Sequence, residues 1–183
     1  MDTQDVVVDR ASRRSSEVKM RRKLPKPGEV FSIPLPSGGF AFGQEIYYYL
    51  TAFFAHRSDK LLPVEDIVKL PVAFVLLVDR RPFRVEGWQI LGPAHLDEKF
   101  KTPPFFFRQD AINKKLFRYD VRDKTETPIS IQDATKLECI ACWAGVHVVT
   151  RLEDLFAGRP NISVETMKPK AVPPLKVAPK TRK

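Results

Sequence analysis

The chain has few cysteines and no long apolar run, and both shortages limit what it can be. Two cysteines, Cys139 and Cys142, are too few for a disulfide scaffold among 183 residues. The longest apolar run, residues 71–78, is too short to span a bilayer, and the stretch 6–8 is too short for a signal peptide. We therefore expect a soluble protein of the cytoplasm.

Residue patterns typical of catalytic and metal-binding sites are also scarce. The chain has three histidines, and none is placed at i, i+2 or i, i+4 from another: His56, His95 and His147. Cys139-x-x-Cys142 lacks the second half of a zinc site, so we expect both thiols to pack beside a strand. Neither a G-x-S-x-G elbow nor a glycine-rich phosphate loop is present. Three carboxylates that could act as bases are interpreted as loop residues: Asp110, Asp120 and Asp123. We predict no catalytic residue, no metal ligand and no cofactor.

The net charge of +9 is concentrated at the two ends of the chain. Residues 1–26 carry +4 and residues 168–183 carry +6, whereas residues 27–167 carry −1. The first segment is polar and aperiodic, and the last is rich in proline and lysine. The sequence thus predicts a disordered basic arm over 1–26, one domain over 27–167 and a disordered tail over 168–183.

Residues 28–43, GEVFSIPLPSGGFAFG, predict a hairpin. Phe31, Ile33 and Leu35 share one parity, so a strand would place them on one face. Pro36-Ser37-Gly38-Gly39 supplies the turn, and Phe40 and Phe42 resume the alternation afterwards. Gly43 leaves room for a neighbour to pack closely. We expect the five apolar residues of this hairpin to be core.

The remainder predicts further short strands and one or two helices. Residues 44–56 favour one strand, with even positions in the core and odd positions facing solvent or a partner. Strands are also expected near 72–78, 88–91, 104–108, 116–119 and 139–143, and helices over 63–70 and 146–156. The predicted class is α+β, predominantly β: a small twisted antiparallel sheet or a partly open barrel. No internal repeat is evident.

Three segments together resemble the immunity-26 family of bacterial polymorphic-toxin systems: KPGEVFSIPLPSGGFAFGQ, PPFFFRQDAINKKLFRYD and VTRLEDLFAGRPN. The stretch DKLLPVEDIVKLPVAF also fits that pattern, and the resemblance runs from about Lys26 to Glu165. It implies a β-rich immunity protein that neutralises a cognate bacterial toxin by direct binding. Part of the family carries a phosphotriesterase label, so a metal-dependent phosphotriester hydrolase is the alternative.

A toxin-binding protein needs aromatic anchors on a rigid scaffold. The candidates for this partner-binding role are Tyr47, Tyr49, Phe53, Phe105 and Phe107. A third reading is a nucleic-acid-binding β module in which exposed aromatics stack bases. The near-neutral domain argues against it, leaving non-specific phosphate binding by the basic tails. A homodimer formed through the aromatic strand stays open.

Overall fold

The computed structural model describes residues 23–171, and within them the chain forms ten strands in two sheets. The predicted β-rich α+β class is confirmed, and the sheets do not close into a barrel. The strands are β1 Glu29–Pro34, β2 Phe40–Tyr47, β3 Leu50–Phe54, β4 Val72–Val78, β5 Gln89–Pro93, β6 Phe106–Gln109, β7 Leu116–Tyr119, β8 Glu126–Pro128, β9 Glu138–Cys139 and β10 Cys142–Trp143. The helices are α1 Val64–Ile67, α2 Pro82–Val85, α3 Ile131–Ala134, α4 Gly145–Phe156 and α5 Ile162–Thr166, with a 3-10 turn at Glu98–Phe100.

The larger sheet has six strands in the order β10-β4-β3-β2-β1-β5. Every neighbouring pair is antiparallel except β10 and β4, which run parallel. The predicted hairpin is confirmed as β1 and β2, with Phe31 opposite Gly43 and Ser32 opposite Phe42. Gly38 and Gly39 form its turn at φ values of 93° and 71°, which glycine adopts without steric cost.

The smaller sheet has the order β8-β7-β6-β9 and also carries one parallel pair, β6 with β9. Its two hairpin turns repeat one local sequence, FRQDAINK at 107–114 and FRYDVRDK at 117–124. In each turn the lysine amide donates to the aspartate carbonyl, and the lysine has a φ near 60°. This eight-residue repeat, with an offset of ten residues, was not predicted because it is too short to mark a repeated domain.

The predicted single strand over residues 44–56 is wrong. The chain turns at Tyr48 and Tyr49, so β2 ends and β3 begins inside that stretch. All five residues of β3 are buried, because the strand lies between β2 and β4 with both of its faces covered. Phe53 is consequently a core residue, whereas Tyr48, predicted to be core, is 68% exposed.

The main apolar cluster lies between the six-stranded sheet and α4. Phe31, Phe53 and Trp88 are packed there against Val148 and Leu152 of the helix. Phe31, Ile33, Leu35 and Phe42 are buried as expected, and Phe40 is half-buried. A second cluster joins the two sheets, and it contains Ile46, Leu50, Ala52, Phe100 and Phe106 with Tyr119, Val121 and Ile140 packed against them.

The predicted basic arm over 1–26 and tail over 168–183 lie mostly outside the described residues. At the two ends that are described, the chain contacts the domain. Lys23 forms an ion pair with Glu29, and Lys170 exchanges two hydrogen bonds between its backbone and the side-chain amide of Gln109. The boundaries of the arm and the tail stay predictions.

Candidate protein-binding surface

Three consecutive tyrosines, Tyr47, Tyr48 and Tyr49, are displayed where β2 turns into β3. We call these residues the tyrosine turn. Their exposed fractions are 36%, 68% and 49%, which is high for large aromatic residues. The rings of Tyr47 and Tyr48 meet edge to face with centroids 5.9 Å apart. The flanking Ile46 and Leu50 are fully buried, so the turn projects from a packed base.

A buried ion pair supports the tyrosine turn from below. The Glu45 side chain is inaccessible to solvent, and its two carboxylate oxygens accept hydrogen bonds from the guanidinium of Arg80. The backbone N–H of Tyr49 donates to Glu45 Oε1 at 2.8 Å, and Thr51 Oγ1 donates to Oε2 at 3.3 Å. Glu45 therefore holds the backbone of the turn at Tyr49, which has a φ of 64°.

Arg80 also contacts the aromatic part of the surface. Its guanidinium carbon lies 4.3 Å from the centroid of the Tyr49 ring, a cation–π distance. Burial raises the pKa of Glu45 above its ordinary value, although the hydrogen bonds and the charge of Arg80 act in the opposite direction. A buried pair of this kind adds little net stability, but it fixes the geometry of the groups it joins.

A second ion pair lies beside the tyrosine turn, in the turn between β7 and β8. Arg122 donates from Nε to both oxygens of Asp120 at 3.0 and 3.2 Å, and its backbone N–H donates at 2.9 Å. These hydrogen bonds lower the pKa of Asp120 to about 2. The Arg122 side chain is 45% exposed above a carboxylate that is 9% exposed, so the cation faces outward.

The two turns belong to one region of the molecule. Ile46 and Leu50, which flank the tyrosine turn, share an apolar cluster with Tyr119 and Val121, which flank Asp120. The pKa of Arg122 is raised mainly by Asp120, with smaller contributions from the charge of Asp123 and, last, from Tyr47. Tyrosine and outward-facing arginine are therefore neighbours on this surface.

The predicted site residues divide between surface and core. Tyr47 and Tyr49 are exposed in the tyrosine turn, and Phe105 is half-buried beneath the guanidinium of Arg118. Phe53 and Phe107 are 0% and 2% exposed, so they support the scaffold and present no surface to a partner. The solvent- or partner-facing position predicted for Phe53 is wrong because β3 is covered on both faces.

Three residues of the candidate surface were not predicted to lie on it: Tyr48, Arg80 and Arg122. Tyr48 was assigned to the core because residues 44–56 were treated as one alternating strand. The run of three tyrosines was the available signal, since a single half-buried strand does not place consecutive aromatics on one face. Arg80 carries no local signal. Its partner Glu45 lies on β2, whereas Arg80 follows β4, and the two meet only because β3 lies between these strands in the sheet.

The side chains considered for catalysis or metal binding either stabilise turns of the chain or lie apart from one another. Within residues 23–171, no group of three or more His, Cys, Asp or Glu is arranged to bind a metal ion. Asp110 and Asp123 accept hydrogen bonds from backbone amides of their own turns. Cys139 and Cys142 are free thiols; Cys139 is half-buried, whereas Cys142 is exposed, so the expected packing of both thiols is wrong for Cys142. Partial desolvation raises the pKa of both thiols, with the charges of Glu138 and Asp79 adding to the effect.

A family model described as Immunity protein 26 matches residues 26–118 of the chain. No curated protein and no solved structure gives a significant match. The matched region contains the tyrosine turn, Glu45, Arg80 and Phe105. It ends before Asp120 and Arg122. In the part of the chain that the structure describes, no helix has the length and apolar character needed to cross a bilayer.

Proposed function

The chain belongs to the immunity protein 26 family, and on that premise we propose that it neutralises a cognate toxin by direct protein–protein binding. In this proposal the toxin belongs to a bacterial polymorphic-toxin system, and the immunity protein meets it in the cytoplasm of the producing cell. Inhibition is stoichiometric and requires no cofactor, because occupying the toxin surface is sufficient to block it.

The tyrosine turn is the observation that supports this function most directly. Tyrosine and arginine are the residue types that most often dominate the binding energy of protein interfaces. Here Tyr47, Tyr48 and Tyr49 lie together, with Arg80 against one ring and Arg122 beside them. A tyrosine side chain offers a large contact area and a hydroxyl while losing little conformational entropy on binding.

The ion pair of Glu45 and Arg80 beneath the tyrosine turn also favours tight binding. Association is weakened when loops and side chains must be ordered at the interface. The carboxylate of Glu45 already fixes the Tyr49 backbone and the Arg80 guanidinium in the free protein. A partner would therefore meet a surface whose geometry is set before contact.

The test is to co-express the protein with the product of the gene adjacent to its own. We expect rescue of growth and a complex that survives purification. Replacing two exposed anchors, Tyr47→Ala with Tyr48→Ala, should weaken the complex by roughly a hundredfold or more, as expected when interface anchors are lost. The matched control is Ile112→Ala, which truncates a side chain that is 93% exposed at the tip of another hairpin.

The control variant should bind as the wild type does, and all variants should keep the wild-type circular dichroism spectrum. No rescue and no complex with the wild-type protein would contradict the proposed function. A self-associated dimer that dissociates only after the tyrosine substitutions would instead assign the tyrosine turn to homodimer formation.

A further inference from the structure

Arg118 is an exposed cation without a counter-ion among residues 23–171. It lies on β7, where its guanidinium carbon is 4.5 Å from the centroid of the Phe105 ring. No carboxylate of the described chain lies within ion-pair distance of it, whereas Arg108, the other arginine on a strand, is paired, as are Arg80, Arg122 and Arg151. Stacking on Phe105 holds the planar guanidinium in place while its N–H donors stay available.

The sequence repeat supplies a direct comparison. Arg108 occupies the same position in FRQDAINK that Arg118 occupies in FRYDVRDK. Arg108 also lies over an aromatic ring, 5.1 Å from the centroid of Phe117, but it donates to both carboxylate oxygens of Glu126, from Nη2 at 2.6 Å. In the ladder, Arg108 is opposite Phe117 and Arg118 is opposite Phe107, so the two arginines point to opposite faces.

Arg118 and Arg122 both act on the carboxylate of Asp120. Asp120 directly follows β7, two residues after Arg118, and Arg122 is hydrogen-bonded to it. The charge of Arg118 adds to the lowering of the Asp120 pKa, after the larger effect of Arg122. Two guanidinium groups thus act on one shielded carboxylate.

We propose that Arg118 and Arg122 bind carboxylates on an acidic surface of the partner protein. This inference rests on the proposed function and names the chemistry of the toxin face that the immunity protein covers. Guanidinium groups bind carboxylates through paired hydrogen bonds, and a group already stacked on a ring loses less freedom when it does so. The tyrosine turn would contact a less polar part of the partner.

The local charges favour a protein over a nucleic acid. Asp120 and Asp123 lie within the same turn as Arg122, and a dense run of phosphates would be repelled by both. Separate carboxylates on a folded partner can meet each guanidinium without approaching the aspartates. The domain over residues 27–167 carries a net charge of −1, so it supplies no general attraction for a polyanion.

The test is the affinity of the full chain for a non-toxic variant of the adjacent gene's product, measured by calorimetry at 50 and 300 mM NaCl. We expect Arg118→Gln and Arg122→Gln each to weaken binding about tenfold at low salt and to flatten the salt dependence. Arg108→Gln is the matched control, because it removes the repeat-equivalent charge from the opposite face. It should bind with wild-type affinity and with the wild-type salt dependence.

The outcomes separate the two proposals. If the wild-type chain fails to bind that product, the proposed function fails and this inference fails with it. If the wild type binds, and neither Arg118→Gln nor Arg122→Gln changes the affinity or its salt dependence, the proposed function stands. The proposal that the partner presents an acidic surface is then wrong. Wild-type binding of a single-stranded RNA 20-mer that is lost in both variants, with the toxin affinity unchanged, would reassign the two arginines to nucleic acid.

Discussion

Gly43 illustrates how closely single residues are fitted in this core. A Cβ atom at position 43 would lie 2.6 Å from Cζ and 2.8 Å from Cε2 of Phe31, the residue opposite it in the hairpin. Phe31 cannot move aside easily, because its ring is stacked 5.4 Å from Trp88 and packed edge to face on Phe83. The missing side chain is thus what allows the aromatic cluster to form.

Gly43→Ala should accordingly destabilise the protein by about 1–3 kcal/mol, the usual effect of overpacking a filled core. Urea denaturation gives the free energy of unfolding. In the double variant Gly43→Ala with Phe31→Leu, the smaller side chain makes room for the new methyl group. The double variant should lose less stability than the sum of the two single losses. If the two single losses of unfolding free energy simply add in the double variant, the side chains at positions 31 and 43 do not compete for the same space.

Asp120 should make the stability depend on pH in the acid range. Its pKa in the folded protein is about 2, below the ordinary value of 3.8, because Arg122 hydrogen-bonds the charged form. A lowered folded pKa contributes stability that is present above pH 3.8 and lost as the pH falls through about 2. The advantage of the wild type over Asp120→Asn should therefore be constant at neutral pH and vanish near pH 2.

This dependence is measured by urea denaturation of both proteins between pH 7 and pH 2. Asp123→Asn is the comparison: Asp123 belongs to the same turn, and hydrogen bonds from Thr125, with no guanidinium, lower its pKa, so its removal should change the pH dependence less than the removal of Asp120 does. If the difference in unfolding free energy between wild type and Asp120→Asn persists unchanged to pH 2, the pKa of the Asp120 carboxylate is not lowered as stated.

Among the elements, β3 belongs to the core, whereas the tyrosine turn belongs to the surface. Phe53 is fully buried in the middle of the six-stranded sheet, whereas Tyr48 is mostly exposed five residues earlier. Phe53→Ala should cost about 3–5 kcal/mol of unfolding free energy, since a large cavity replaces the ring. Tyr48→Ala should change the unfolding free energy by less than about 0.5 kcal/mol. Thermal or urea denaturation of the two variants decides between the core and surface assignments.

The sequence predicted those elements whose signals are local. The β1–β2 hairpin, the helix α1 and the strand β4 were predicted because turn residues and apolar periodicity lie within each segment. The turn at Tyr48 and Tyr49 was missed because aromatic residues favour strands at every position of that stretch. Of the candidate surface, the sequence points to Tyr47 and Tyr49, which are exposed, whereas Arg80 joins them only through the order of β2, β3 and β4.

At the scale of the whole molecule, the two sheets share one apolar cluster and are joined by two connections of the chain, from β5 to β6 and from β9 to β10. Ile46 and Leu50 of the larger sheet pack in the same cluster as Phe106 of the smaller one. The chain passes from β9 in the smaller sheet to β10 in the larger through Ile140 and Ala141. Arg151 of α4 strengthens the junction, since its guanidinium lies 4.0 Å from the Phe74 ring centroid and pairs with Glu138.

We therefore expect the sheets to unfold together. Tryptophan fluorescence reports on Trp88 and Trp143, which lie in the cluster against the larger sheet. Amide exchange of β6 and β7 reports on the smaller sheet. Both probes should give the same free energy of unfolding, as required for a two-state transition. A smaller sheet that opens at a clearly lower free energy would contradict this.

The order of synthesis gives the parallel pairs a further consequence. Both β9 and β10 come from residues 138–143, and each adds to a sheet built from earlier parts of the chain. A nascent chain that has not yet extended past residue 143 leaves β4 and β6 each with an unpaired edge. Unpaired edges promote association between chains. β9 and β10, which are synthesised after the strands they pair with, thus cover one edge of each sheet.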